Sequence, residues 1–183
     1  MGQLRWHPAA CGAALALPAI VQAATLATLD EAARRGFPEA TAFKEQLVQA
    51  SVEDMRAIAA LGGAVPHSAT WRMLLAMKGE QMLGAVVADA VIGKFELIDY
   101  AVAIDADGHI RQVEILNYRE SHGYEIKLPA WRKQFSGKGA EASIRVGDDI
   151  ANISGATMSC THVTDGVRHV VTLFNRLRGS GRL

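Results

Sequence analysis

Between Trp71 and Asn117 the chain is divided into short apolar runs by residues that favour turns. Lys78-Gly79 follows WRMLLAM, Gly84 precedes AVVADAVI, Gly93-Lys94 precedes FELIDYAVAID and Asp107-Gly108 precedes HIRQVEILN. Tyr100, Val102 and Ile104 alternate with smaller residues, and Val113 and Ile115 alternate with Gln112 and Glu114. A period of two bounded by glycine-containing turns is the signature of paired strands. The pattern predicts an antiparallel meander of about four strands.

The flanks read as helices. Thr28-Leu29-Asp30-Glu31 has the form of a capping box, and the helix it starts is expected to stop at Gly36. A second helical stretch is expected after Pro38, and a third from Ser51-Val52-Glu53-Asp54 to Gly62-Gly63. Beyond the meander, a short helix opening on Pro129 is expected within Leu128 to Phe135, and a strand over ASIRV at 142–146. A last helix from about Ser159 to Arg178 has Val163, Val167, Val170, Val171, Phe174 and Leu177 spaced for one buried face. The expected class is α+β: an antiparallel sheet meander flanked by N-terminal helices and a long C-terminal helix, with helices from both ends covering the sheet's edges. A helical region with the first strand (24–84) and the segment 85–183 are expected to form one compact unit.

Residues 1–23 differ from the rest. A single Arg precedes the apolar AALALPAIV, and Val21-Gln22-Ala23 places small or branched residues at its end, which is the layout of a cleaved secretory signal peptide. The alternative is an uncleaved interfacial or short membrane anchor, although the apolar run is far below the ~20 residues of a spanning helix. A periplasmic or otherwise exported location is the expectation. Cleavage would remove Cys11 and leave Cys160 as the only thiol, so an intrachain disulfide, a Cys-rich metal site and a C-x-x-C-H haem motif are all excluded. With 19 Lys and Arg against 19 Asp and Glu, nothing suggests electrostatic capture of nucleic acid. Any phosphate must be bound locally.

One stretch offers such a place. ISGATMSCTH, residues 153–162, lies between a loop and the start of the last helix, where unpaired N–H groups and the positive helix end favour a phosphate. Taken alone, Ser154, Thr157 or Ser159 reads more simply as an ordinary helix cap, with Gly155 making the turn. Cys160 and His162 are two residues apart on a helix and point different ways, so they do not form a nucleophile and its base. His162 and His169 share a helical face, but no Cys or acid completes a metal set. No catalytic residue and no metal ligand is expected. A second stretch, Tyr118 to Ile126, has the mixed charge, aromatic and Gly content of a binding loop, or of a solvated strand end.

Several motifs occur in order: Asp105-Ala106-Asp107-Gly108-His109-Ile110, Glu120-Ser121-His122-Gly123, Trp131, Phe135-Ser136-Gly137-Lys138, Ser154-Gly155-Ala156-Thr157, and Val163-Thr164-Asp165-Gly166-Val167. On these motifs the chain from about Ala85 to Leu177 resembles the FMN-binding domain of the flavin-carrying subunits of Na+-translocating NADH:quinone oxidoreductases and Rnf-type complexes, and of periplasmic electron-transfer proteins. The resemblance implies covalent FMN, with the Thr157 hydroxyl esterified to the FMN phosphate by a separate Mg-dependent flavin transferase that uses FAD. Ser154, Gly155, Ala156, Met158 and Ser159 would then bind the cofactor with Thr157; Gly155 and Ala156 would keep side chains away from the phosphate, while Glu120, Ser121, His122 and Gly123 would lie by the isoalloxazine ring. His122 stands where the best-known members have Pro. The family motif usually has Asp three residues before its Ser, and here that position is Ala151.

The resulting expectation is an exported electron carrier that exchanges electrons with membrane or periplasmic redox partners. A flavin-dependent reductase acting directly on a quinone or metal chelate is the alternative, and a flavin-free binding module is a third reading.

Overall fold

A computed structural model of the chain describes residues 24–183; the expected signal segment and Cys11 lie outside the described residues. The described chain begins with strand β1 (Ala24–Thr25), helix α1 (Leu29–Gly36), strand β2 (Ala42–Gln49) and helix α2 (Val52–Ala60). The apolar runs then form β3 (Thr70–Lys78), β4 (Gln81–Ile92), β5 (Leu97–Asp105) and β6 (Ile110–Tyr118). Two 3-10 turns, Tyr124–Lys127 and Lys133–Phe135, flank the one-turn helix α3 (Pro129–Arg132), and a loop leads to α4 (Thr157–Gly179). All strand pairs are antiparallel in the order β1-β6-β5-β4-β3-β2, so the central four strands are the expected meander.

Strand alternation sorts the core into two layers. Val87, Val91, Tyr100, Val102, Val113 and Ile115 face α4, in the larger cluster with Val163, Val167, Val170 and Phe174. Val86, Ala101, Ala103 and Leu116 point to the other side, where Ala32, Ala33 and Phe37 cover them. The helices therefore lie on opposite faces of the sheet rather than along its edges. A helix buries its apolar stripe best against a broad pleated face, whereas a strand edge offers only a row of backbone groups. Gly36 shows how closely α1 approaches: a Cβ there would lie 2.7 Å from the Ala103 Cβ.

The expected capping box at Thr28 forms, and a second one forms at Ser51, where only a helix start was expected. The Thr28 and Ser51 side chains accept from the backbone of Glu31 and Asp54, whose carboxylates accept from the caps in return. The helix expected after Pro38 does not form. Ala42–Gln49 is an edge strand in unbroken register with β3, from Ala42 opposite Met77 to Gln49 opposite Thr70. Its Lys, Glu and Gln are fair helix formers, but propensity is a weak prior beside eight residues of ladder pairing. Charged side chains also suit an edge strand, and Glu45 accepts from Arg72 at 2.6 Å.

Two further expectations change. ASIRV is not a strand: apart from a bridge between Val146 and Ile150, it is a loop in which the Asp149 carboxylate takes the N–H groups of Ile144 and Arg145. A side chain that satisfies those donors locally competes with any sheet ladder, and Ile144 has φ 42°. Gly84 marks no turn; it lies inside β4 beside a register shift opposite Ala76 and Met77, where the β5 backbone approaches too closely for a side chain.

Candidate functional site

Three segments from distant parts of the sequence meet at the N-terminus of α4. They are the β4–β5 turn with Lys94 and Phe95, the loop after β6 with Glu120, Ser121 and His122, and the turn into α4 with Gly155, Ala156, Met158 and Ser159. Together they line a cleft of about 360 Å³. That volume is within the ~300–1,000 Å³ usual for small-molecule sites.

The helix start has open donors. Ala156 is the cap residue, and no side chain accepts from the first turn, so neither Ser154, Thr157 nor Ser159 is the ordinary cap that composition allowed. No acid lies in that turn. Gly155 adopts φ +84°, and a Cβ there would meet nothing within 4 Å, so its glycine serves the backbone conformation rather than crowding. Ala156 is buried, and its N–H donates to the Ile153 carbonyl at 3.0 Å.

Thr157 is exposed, and its Oγ1 accepts from the Asn152 amide Nδ2 at 3.1 Å. The segment that carries Asn152 is held firmly: the Trp131 indole donates to the Ala151 carbonyl at 2.8 Å, and the Ala151 N–H donates to Gln134 Oε1 at 2.7 Å. Residue 151, where the family usually has Asp, is thus an exposed position on a pinned backbone.

Gly123 joins the two loops. Its φ is +79°, and a Cβ would lie 2.6 Å from the Ala156 Cβ and 3.0 Å from the Tyr118 hydroxyl. Only glycine permits this approach. The buried Tyr118 hydroxyl donates to the His122 carbonyl and fixes the loop from below. His122 is exposed, with Nδ1 2.9 Å from the Ser121 hydroxyl.

Glu120 lines the cleft and also binds the neighbouring turn. Its Oε1 accepts from the Phe95 N–H at 2.6 Å and the Glu96 N–H at 3.0 Å. Burial works to raise this carboxyl, but the backbone donors at Glu96, Phe95 and Lys94, with the Lys94 charge, outweigh it and hold the pKa below its ordinary value. Glu120 therefore organises the turn that presents Lys94 and Phe95. Those two lining residues were missed by sequence reasoning, which read Gly93-Lys94 as a turn and began a strand at Phe95. Strand β5 starts only at Leu97, and Phe95 is 73% exposed, an unusual state for a Phe that could have flagged it.

Of the remaining expected residues, Ser154, Thr157 and Gly123 do not line the cleft: Gly123 is buried behind it, and Thr157 is flanked by the lining Ala156 and Met158. Cys160 is buried, and burial raises its thiol pKa. His162 Nδ1 is 2.6 Å from the Ile92 carbonyl, and His169 is buried with Nε2 3.4 Å from the Gly62 carbonyl. Among the described residues no group of three or more His, Cys, Asp or Glu could hold a metal ion, and no helix is long and apolar enough to cross a membrane.

Residues 93–172 match the family model of the FMN-binding domain. This span includes all three segments of the cleft. The crystal structure of NqrC from Shewanella oneidensis has a similar fold, with a TM-score of 0.52 and 18% sequence identity, covering 80% of this chain and 88% of that one. No curated protein gives a significant match.

Proposed function

With the FMN-binding domain match over residues 93–172 and the NqrC-like fold supporting a flavin-binding role in electron transfer, we propose that the chain is an exported electron carrier whose FMN is joined through its phosphate to the Thr157 hydroxyl. The observation that carries the reading is the convergence of the Glu120–His122 loop and the uncapped start of α4 on one cleft, with the Thr157 hydroxyl beside it.

The residues fit the group. A phosphate at the helix start finds first-turn N–H groups with no side-chain cap, the positive end of a helix of 23 residues and no acid to repel it. Gly155 leaves open space there. Asn152 orients the Thr157 oxygen by donating to it, which leaves the hydroxyl proton free to depart when the ester forms. Lys94, Phe95, His122 and Met158 give the cleft the mixture of cation, aromatic face, imidazole and thioether that suits a flat heteroaromatic ring.

FMN, when bound, supplies the reversible acceptance of electrons, while the chain supplies position and environment. Glu120 is engaged by backbone donors rather than placed for proton transfer, which favours a carrier over a reductase acting directly on a small substrate. Maturation would require an FAD-dependent flavin transferase. The layout of residues 1–23 supports export towards membrane or periplasmic redox partners.

The test is co-expression with a flavin transferase, followed by denaturing gel fluorescence and intact mass. The wild-type chain is expected to carry fluorescence and the mass of one esterified FMN, and Thr157→Ala is expected to lose both. If flavin is absent from both the denatured and the native wild-type protein, the flavin reading is wrong; if it is present natively but lost on denaturation, only the covalent link is wrong.

A further inference from the structure

A second cavity lies away from the flavin cleft, beside β6 and between residues of α1 and α3. Its volume is about 450 Å³, and Arg35, Arg111, Arg132 and Lys133 line it together with a single carboxylate, Glu114. Glu114 is 8% exposed and fully engaged: it takes Arg35 at 3.3 Å, Gln112 at 2.7 Å and Arg132 at 2.7 Å. Arg111 is held by Glu39 at 2.5 Å and lies over the Phe37 ring at 4.5 Å. Counting Glu114 and Glu39 against the four cations still leaves two positive charges in excess around the cavity. The chain as a whole has no net charge, so this excess is a local feature.

The donors are also positioned in advance. Arg132 is anchored at Nε by the Lys127 carbonyl and at Nη1 by the Val113 carbonyl and Glu114, and its Nη2 has no partner among the described residues. Lys133 likewise has no ion pair among the described residues. Guanidinium groups fixed in this way match the planar or tetrahedral oxygens of carboxylates and phosphates. Val113 and Pro129 add apolar wall between them.

We propose that this cavity is a binding site for a small organic oxyanion, a phosphate monoester or a dicarboxylate, separate from the flavin cleft. Arg132 and Arg111 are the oriented donors, Arg35 and Lys133 the more exposed ones, and the Glu114 charge reduces the repulsion between the guanidinium groups in the free protein. The inference does not depend on flavin binding, since none of these residues belongs to the cleft.

The test uses the purified full chain in a thermal-unfolding titration with glycerol 3-phosphate, with glutarate, and with chloride at matched ionic strength. At least one organic anion is expected to raise Tm by roughly 3–6 °C for each tenfold increase above its Kd, with chloride doing nothing comparable. A response to only one of the two identifies the head group. The double variant Arg35→Gln/Lys133→Gln changes exposed, non-core positions and is expected to weaken the response at least tenfold while retaining any flavin label. If neither anion exceeds chloride, or the full response survives in the double variant, the proposal is overturned; the second result would place the anion elsewhere, such as the start of α4.

Discussion

The closest constraint in the candidate site is a missing side chain. Gly123 has φ +79°, with Ala156 and Tyr118 packed where a Cβ would go. Gly123→Ala is therefore expected to cost about 1–2 kcal/mol from the left-handed backbone alone, and more as the Ala156 contact is forced apart. In the co-expression assay this variant should fold, with a lowered Tm, and carry less flavin per chain than wild type; equal loading would show that the approach of the two loops is not needed. Sequence reasoning found Gly123 only through its motif, since the reason for the glycine is a contact with a residue 33 positions away. Glu120 illustrates the opposite problem. Its motif was legible, but its partners, the N–H groups of Phe95 and Glu96, are visible only once β4 and β5 have folded. Asn152 carried no signal at all, because an Asn in a loop has many local uses.

Helix α4 and the sheet beneath it set the site at the scale of elements. The apolar spacing from Val163 to Leu177 marked the helix and its buried face in advance, since a 3.6-residue period survives in any context where one face is covered. What the spacing could not show is how near the helix comes to the sheet. At Gly166 a Cβ would lie 2.1 Å from the Tyr100 hydroxyl, 2.9 Å from its Cζ and 3.0 Å from a Val91 methyl. Gly166→Ala is expected to destabilise by roughly 1–3 kcal/mol, the cost of overpacking exceeding the gain of up to ~1 kcal/mol in helix propensity. The measurement is the urea midpoint at unchanged m-value, and an unchanged midpoint would show that Tyr100 can move aside at no cost. Strand β2 fails as a helix for the complementary reason. Its residues read as a helix, and the free edge of β3 overrode that reading.

Over the whole molecule, long-range ion pairs join parts that the sequence keeps apart. Asp54, 3% exposed at the start of α2, accepts from Arg176 of α4 at 2.8 Å and from Arg182 near the C-terminus at 2.6 Å, as well as from its own capping box. Burial opposes ionisation, but the Ser51 backbone and the two arginines overcome it and hold the carboxyl far below the carboxylate range. A depressed folded pKa means that this stabilisation is complete above the unfolded value near ~4 and is lost as pH falls below it. Asp54→Asn is thus expected to cost about 2–3 kcal/mol at neutral pH and to flatten the acid limb of a stability profile between about pH 4 and 2. Parallel wild-type and variant curves would contradict the assignment. The sequence by itself determined the meander, the capping box at Thr28, the helix start at Ser51, the buried face of α4 and the candidate motifs, because each is written in local periodicity or in residues a few positions apart. Tertiary structure alone decided that the helices take opposite faces, that residues 42–49 pair as a strand, that Glu120 serves the β4–β5 turn and that four cations line one cavity with Glu114. Each of these depends on which distant backbone donors, charges and surfaces come within a few ångströms, and no local pattern encodes that proximity.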